Sequence, residues 1–264
     1  MLLKYAYRTL LTFSQPVSSH TFMLRCVPYS CPFQRIINES TTVIPNCQIG
    51  KSTDSFGSVV QTGYVADFHD AFMFESKGIV DVGRHETHEE LDPIFRHPSA
   101  LTMPSDKICN TIAGISTSAS DTKAWIAEMS NQLAQTFAYR SGTTNVATTA
   151  AEAFGLGEGV CQDYAHIAIA MCRKAGIAAR YVNGFMIGEG ATHAWIEYFD
   201  NGTWRAFDPT NNRCVDDSYI KIAHGRDFND CSINRGHFNG IVQQTVKVSL
   251  LVEQIRRLPH YIKD

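Results

Sequence analysis

The segment GEGVCQDYAHIAIAMCRKAG, residues 157–176, places one cysteine between spaced glycines and a long apolar run. Residues 165–172 are apolar almost all round a helical wheel, which predicts a central helix that is covered on most sides. Arg173 and Lys174 fit its last turn, and Gly176 fits its C-terminal end. The helix is therefore predicted to begin at or near Cys161.

The position of Cys161 favours a chemical role over a packing role. A helix N-terminus has a partial positive charge and unpaired N–H groups, which favour a thiolate and can hold an oxyanion. Gly155, Gly157 and Gly159 are expected to let a substrate backbone approach the thiol. The alternative is a small buried hydrophobe, the role expected of Cys172 in the middle of the helix.

Three segments after the helix, ARYVNGFMI, HAWIEYF and WRAFD, are rich in β-branched and aromatic residues and predict strands. Residues 200–202, Asp-Asn-Gly, predict a tight hairpin between the last two. His193 begins one of these strands and Asp208 ends the other, so the two side chains are predicted to be neighbours. Taken singly, His193 could be an ordinary strand-end histidine and Asp208 a turn residue before proline. Together with Cys161 they predict a Cys–His–Asp triad.

Two helices are predicted before the central one. Apolar residues recur at three- and four-residue steps between Ile126 and Phe137, with Ser120 or Asp121 as the N-cap. Thr149 and Glu152 fit a capping box for a shorter helix that Gly155 would end.

Residues 1–100 look different, because short β-prone runs alternate there with turn residues. Strands are expected at residues 5–13, 21–27, 36–44, 58–64 and 71–74, with a turn at residues 16–19, in a sandwich or barrel. Residues 85–106 are read as the connection. The prediction is a β-rich N-terminal domain, residues 1–100, followed by an α+β domain, residues 101–264, with the central helix packed on an antiparallel sheet.

Composition limits the classes of function. A net charge of −3 is too small to indicate a nucleic-acid or membrane-surface partner, and no apolar run approaches the roughly 18 residues of a membrane span. None of the eight cysteines forms a CxxC pair, so a zinc ribbon is not expected. No export signal is recognised at the N-terminus, so a cytoplasmic protein with free thiols is expected.

The ordered motifs GEGVCQDYAH, THAWIEYF, WRAFDPTNN and YIKIAHGRDFNDCSINRGHF resemble the transglutaminase-like core. More narrowly, the chain is similar to the bacterial transglutaminase-like cysteine proteases, in which a β-rich region precedes the core. The resemblance implies a papain-like/transglutaminase fold with Cys161 as nucleophile, His193 as general acid/base and Asp208 as the orienting carboxylate. It also implies attack on an amide carbonyl through a thioester.

Three functions stay open on the sequence. We expect a peptidase or amidase that acts on a peptide or protein, needing no metal and no cofactor. An amine-accepting transglutaminase or amide-forming transferase shares the chemistry up to the thioester, and an inactive binding scaffold is the third alternative. A homo-oligomer is also left open.

Three further residues are candidates for the site. Tyr139 and Gln162 are candidates for the oxyanion or substrate contacts, although Tyr139 could be an aromatic that packs at a helix end. Trp195 shares a strand face with His193, and core packing is the default for it. The polar residues 85–90 resemble a sparse metal site but are better read as a solvated loop. The loop GRDFND, residues 225–230, is expected near the site.

Overall fold

The computed structural model describes residues 1–256. Its N-terminal part is built from five strands whose buried and exposed residues alternate along much of β1 and β5, as expected for sheets with one covered face. Their bounds are β1 Leu2–Leu24, β2 Gln34–Ile44, β3 Ile49–Thr53, β4 Val59–Val65 and β5 His69–Val82. The predicted strands at residues 36–44 and 58–64 are confirmed, and β3 was not predicted.

Strand β1 is continuous, so the predicted turn at residues 16–19 is wrong. Its first half pairs with β5, and its second half, residues 20–24, pairs with β4. Between Thr12 and Val17 the register with β5 shifts, which marks a bulge rather than a reversal. Pro16 falls inside this bulge, where its missing N–H costs no ladder hydrogen bond. The bulge lets β1 pass from the sheet that contains β5 to the sheet that contains β4.

The segment between β5 and the central helix contains the two predicted helices, α2 Thr122–Thr136 and α3 Ala150–Leu156. It also contains elements that were not predicted: a short strand, β6 Glu86–Thr87, two 3₁₀ turns, Pro93–Arg96 and Ala100–Thr102, and a further helix, α1 Asp106–Ala113. Helix α1 was missed because it is short and buries only Ile108 fully. The caps at Asp121 and Thr149 are confirmed. Helix α3 is capped at its C-terminal end by Gly157, whose φ of 77° is left-handed, and not by Gly155 as predicted.

The second half forms the predicted α+β unit. Short parallel strands β7 Ala138–Tyr139 and β8 Glu158–Gly159 flank α3, and the remaining elements are α4 Cys161–Lys174, β9 Ala179–Met186, β10 Gly188–Gly190, β11 His193–Asp200, β12 Thr203–Asp208, β13 Arg213–Cys214, β14 Tyr219–Gly225 and α5 Phe228–Cys231. An antiparallel sheet runs in the order β13-β12-β11-β9-β14, with β6 added beside β12. Helix α4 packs on β9 and β11 through a core that includes Ile167, Met171 and Ile196. The predicted fold class is confirmed.

The chain then returns to the N-terminal sheets. Strands β15 Asn234–Asn239 and β16 Gln244–Gln254 both pair antiparallel with β1. Phe185 of β9 packs into the same core, 5.4 Å from the Tyr5 ring and 5.2 Å from the Tyr7 ring. The division at residue 100 stays a prediction, and strands from both sides of it share one sheet. Within residues 1–256, helices long and apolar enough to cross a membrane are absent.

Candidate active site

Cys161 occupies the first position of α4, as predicted. Val160 is the N-cap in an extended conformation, with φ −114° and ψ −177°. Within residues 1–256, the N–H groups of Cys161 and Gln162 have no hydrogen-bond acceptor, and the Cys161 side chain is half-buried. Two free donors therefore stand beside the sulfur at the positive end of the helix.

Asp163 fixes this end of the helix. Its buried carboxylate accepts the Val160 N–H at 2.8 Å and the Thr144 hydroxyl at 2.7 Å, so it joins the helix to the preceding loop. Burial raises the pKa of Asp163 despite these hydrogen bonds. A Cβ on Gly159 would lie 2.4 Å from the Asp163 Oδ2 atom. Gly159 is thus required by the cap, not by a substrate backbone as the sequence suggested.

His193 and Asp208 meet where the hairpin predicts. The strands are joined through Asn201 and Gly202, both with positive φ, and His193 Nε2 lies 2.7 Å from Asp208 Oδ2. Burial lowers the pKa of His193, but hydrogen bonds to Asp208 and Cys161 and the charges on both groups raise it to about 9. The imidazole is therefore held in its protonated form at neutral pH.

Asp208 is fully buried and richly hydrogen-bonded. Burial raises its pKa, but the contact with His193 and the donors of Asn211 and Tyr219 outweigh that and hold the pKa below its usual value. Asn211 Nδ2 lies 2.7 Å and the Tyr219 hydroxyl 2.9 Å from Asp208 Oδ2, while Thr210 N–H donates to Oδ1 at 3.0 Å. These donors fix the carboxylate that orients His193.

Cys161 and His193 open into one cleft of about 600 Å³. One wall belongs to the N-terminal sheet, and the other to the helix end and to β9 and β11. The sheet residues in that wall are Tyr7, Thr9, Leu11, Phe74, Gln244, Val246 and Val248. The N-terminal region therefore forms part of the candidate site.

The three further candidates, Tyr139, Gln162 and Trp195, lie in different surroundings. Tyr139 and Gln162 line the cleft. The pairing of β7 with β8 sets Tyr139 beside Gly159, and the pKa of Tyr139 is raised by partial burial and by the charge of Cys161. Trp195 is fully buried, with its ring 6.4 Å from the His193 ring, and packs in the sheet core. A catalytic role for any of them stays a prediction.

Sequence reasoning missed several of these residues. Tyr219 comes from β14, eleven positions after Asp208, and no local motif links the two. Asn211 was visible only as part of the DPTNN tail. Phe228, in the predicted neighbouring loop GRDFND, lines the cleft, and its N–H donates to His166 Nε2 at 3.1 Å.

The polar stretch 85–90 is not a solvated loop. His85 is buried, with Nε2 3.0 Å from the Tyr219 carbonyl, while Glu86 pairs with Arg205 and Glu89 with Arg180. Within residues 1–256, no cluster of three or more His, Cys, Asp or Glu side chains could hold a metal. All eight cysteines are free thiols.

Comparison with known proteins agrees with this architecture. Residues 110–209 match the model of the transglutaminase-like superfamily, and residues 3–81 match that of the bacterial transglutaminase-like N-terminal region. An uncharacterized protein of Mycobacterium tuberculosis is 29% identical over 270 residues, covering 88% of this chain and 86% of its own. One of Mycobacterium leprae is 26% identical over 262 residues, covering 90% and 93%.

Among solved structures, a proposed cysteine protease from Cytophaga hutchinsonii superimposes with a TM-score of 0.77. It is 24% identical, and the match covers 99% of this chain and 94% of that one. The similarity extends over both the N-terminal sheets and the helix-on-sheet unit, so the two chains share the whole architecture.

Proposed function

Because the chain belongs to the transglutaminase-like superfamily, we propose that it is a cysteine-dependent enzyme that hydrolyses an amide bond in a peptide or protein. The observation that supports this most strongly is the buried, 2.7 Å His193–Asp208 pair, which opens into the same cleft as the helix-terminal thiol of Cys161. A thiol, an imidazole and a buried carboxylate in this order are the groups that thiol-based acyl transfer requires, which favours an enzyme over an inert scaffold.

The proposed acylation step uses Cys161 as a thiolate and His193 as an imidazolium. The Cys161 thiolate attacks the amide carbonyl, forming the C–S bond while the carbonyl π electrons move to oxygen. In this proposal the free N–H groups of Cys161 and Gln162 hold that oxyanion. His193 then gives its proton to the amine as the C–N bond breaks, which leaves a thioester on Cys161 and a neutral imidazole.

Deacylation reverses the role of His193. The neutral imidazole takes a proton from water as the water oxygen attacks the thioester carbonyl. The C–S bond breaks, the carboxylic acid leaves, and the thiolate–imidazolium pair is restored. Asp208 holds the ring orientation through both steps, supported by Asn211 and Tyr219.

Water is the proposed acceptor, because the cleft has an exposed rim. Tyr139 and Val146 line it and are 59% and 60% exposed. Transfer to an amine needs water to be kept away from the thioester, and an open rim does not do that.

The proposal is tested with a mixture of unfolded peptides in water enriched in ¹⁸O, with and without glycine ethyl ester. Mass spectrometry should detect new carboxyl termini that contain ¹⁸O and depend on Cys161, with little ester incorporated. Cys161→Ala should abolish them, whereas Cys109→Ala, a half-buried thiol outside the cleft, should not. Dominant ester incorporation would identify a transferase instead, and equal products from Cys161→Ala would overturn the enzyme claim.

A further inference from the structure

Strand β16 is an incompletely covered sheet edge. It pairs with β1 along its whole length, but on its other side β10 covers only Leu250, Leu251 and Val252. Proteins usually protect such edges, because unpaired main-chain groups bind other extended chains. The six residues 244–249 are exposed here, and Val246 and Val248 are 53% and 42% exposed.

The register shows which main-chain groups are free. Ser14 N–H donates to the Gln243 carbonyl, and Ile255 N–H donates to the Leu2 carbonyl, each at 2.9 Å. Hydrogen-bonded pairs alternate along antiparallel strands, so the odd-numbered residues of β16 face β1 and the even-numbered ones face away. In the part of the chain that the structure describes, the N–H and C=O groups of Gln244, Val246 and Val248 are therefore unpaired.

This free edge adjoins the catalytic residues. The side chains of Gln244, Val246 and Val248 line the same cleft as Cys161 and His193. Strand β10 occupies the row next to β16 as far as Gly190, and the chain then leaves that row and reaches His193 three residues later. The row is thus vacated where the catalytic strand begins.

We propose that the free edge of β16 binds the acyl-donor substrate as an extended peptide, which continues the row that β10 begins. This inference rests on the proposed function and narrows it to unfolded or extended peptide segments. Main-chain pairing would supply affinity, and Val246 and Val248 would favour apolar side chains at alternate substrate positions. The segment bound is the one on the amino side of the attacked carbonyl, because that part stays attached to Cys161 until water arrives.

The probe is a hexapeptide of alternating valine and threonine that ends in a chloromethyl ketone, from which the Cys161 thiolate displaces chloride. Its rate of alkylation is divided by that of iodoacetamide, which reports the thiolate alone. N-methylation of each peptide nitrogen in turn removes one donor. Methylation of a nitrogen that faces β16 should lower this rate ratio about tenfold. Methylation of the nitrogens between them should change it little.

Three variants test whether the outward N–H of Val246 binds the peptide. Val246→Pro removes one outward N–H and should lower the rate ratio about tenfold and weaken the alternating pattern. Val246→Thr keeps that N–H and nearly the same shape, so the pattern should persist. Thr53→Pro places the same substitution on the exposed edge strand β3, outside the cleft, and should leave both ratio and pattern unchanged.

An unchanged rate ratio in Val246→Pro, or methylation effects that do not alternate along the peptide, would overturn the edge proposal. If iodoacetamide labelling of Cys161 were still rapid and dependent on His193, the proposed function would stand. Slow iodoacetamide labelling that does not depend on His193 would overturn the proposed function, and this inference with it.

Discussion

At the level of single residues, Asp208 connects three strands of the sheet that carries the proposed triad. It ends β12, binds His193 of β11 and accepts the Tyr219 hydroxyl of β14. The Asp208 carboxylate thereby fixes which nitrogen of His193 faces it and leaves the other nitrogen for the thiol. The sequence predicted the pair from strand order alone, but it could not supply Tyr219, which only the folded sheet brings near.

Asp208→Asn should lower kcat at least about a hundredfold, because an amide can hold the imidazole in the wrong tautomer and cannot stabilise the imidazolium. Turnover of the peptide mixture and far-UV circular dichroism measure this. Asp216→Asn, an exposed carboxylate near Arg213, is the matched control and should keep full activity. A folded Asp208→Asn protein with normal kcat would contradict the assigned role.

The raised pKa of His193 makes a pH-dependent contribution to stability. Its folded-state pKa of about 9 lies above the ordinary value of 6.5, so the contribution is complete below pH 6.5 and is lost as pH rises through 9. The shift corresponds to a contribution on the order of 3 kcal/mol. Urea unfolding of wild type and His193→Gln at pH 5.5, 7.5 and 9.5 should show a difference that shrinks with rising pH. A difference independent of pH would contradict the raised pKa of His193.

At the level of elements, the central helix and the hairpin were predictable because their determinants are local. An apolar run with a basic last turn predicts α4, and Asp-Asn-Gly predicts the turn between β11 and β12. The long strand β1 was not predictable, because its bulge at residues 12–17 is bridged by partners distant in sequence. Residues 85–90 were wrongly predicted to be a solvated loop for the same reason, because their partners Arg180 and Arg205 lie far along the chain.

Asp163→Ala should destabilise the protein by about 1–3 kcal/mol, because the Val160 N–H and the Thr144 hydroxyl both lose their acceptor. It should also slow Cys161 labelling, since the helix end shifts. Asp121→Ala removes the exposed cap of α2 and is the control, with a loss of about 1 kcal/mol and unchanged labelling. Urea unfolding and labelling rates measure both. Equal effects of the two variants on labelling would contradict the proposed role of the cap.

At the level of the whole molecule, the N-terminal sheets and the helix-on-sheet unit are interlocked. Strands β15 and β16 return to β1, and Phe185, Ile220 and Ile222 pack in the core of the N-terminal sheets. The cleft uses walls from both units. The sequence predicted a β-rich part and an α+β part, but it did not predict that the last strands pair with β1. Pairing of β1 with β16 joins residues at opposite ends of the chain, and no local pattern signals it.

Phe185→Ala should therefore destabilise the whole molecule by about 3–5 kcal/mol, since it leaves a cavity at a fully buried position between the units. Calorimetry should show one transition, shifted to lower temperature. Phe68→Ala, at a side chain that is 78% exposed, should change little. Two separate transitions, of which only one shifts, would show that the units unfold independently.

The most direct test of the central claim is the rate of iodoacetamide labelling at each cysteine from pH 4 to 9, in wild type and His193→Ala, followed by peptide mass spectrometry. Cys161 should react fast already at mildly acidic pH, lose that reactivity in the variant, and differ from buried Cys172. This result would establish a thiolate–imidazolium pair. Slow labelling of Cys161 with the pH profile of an ordinary thiol, unchanged in His193→Ala, would contradict the account.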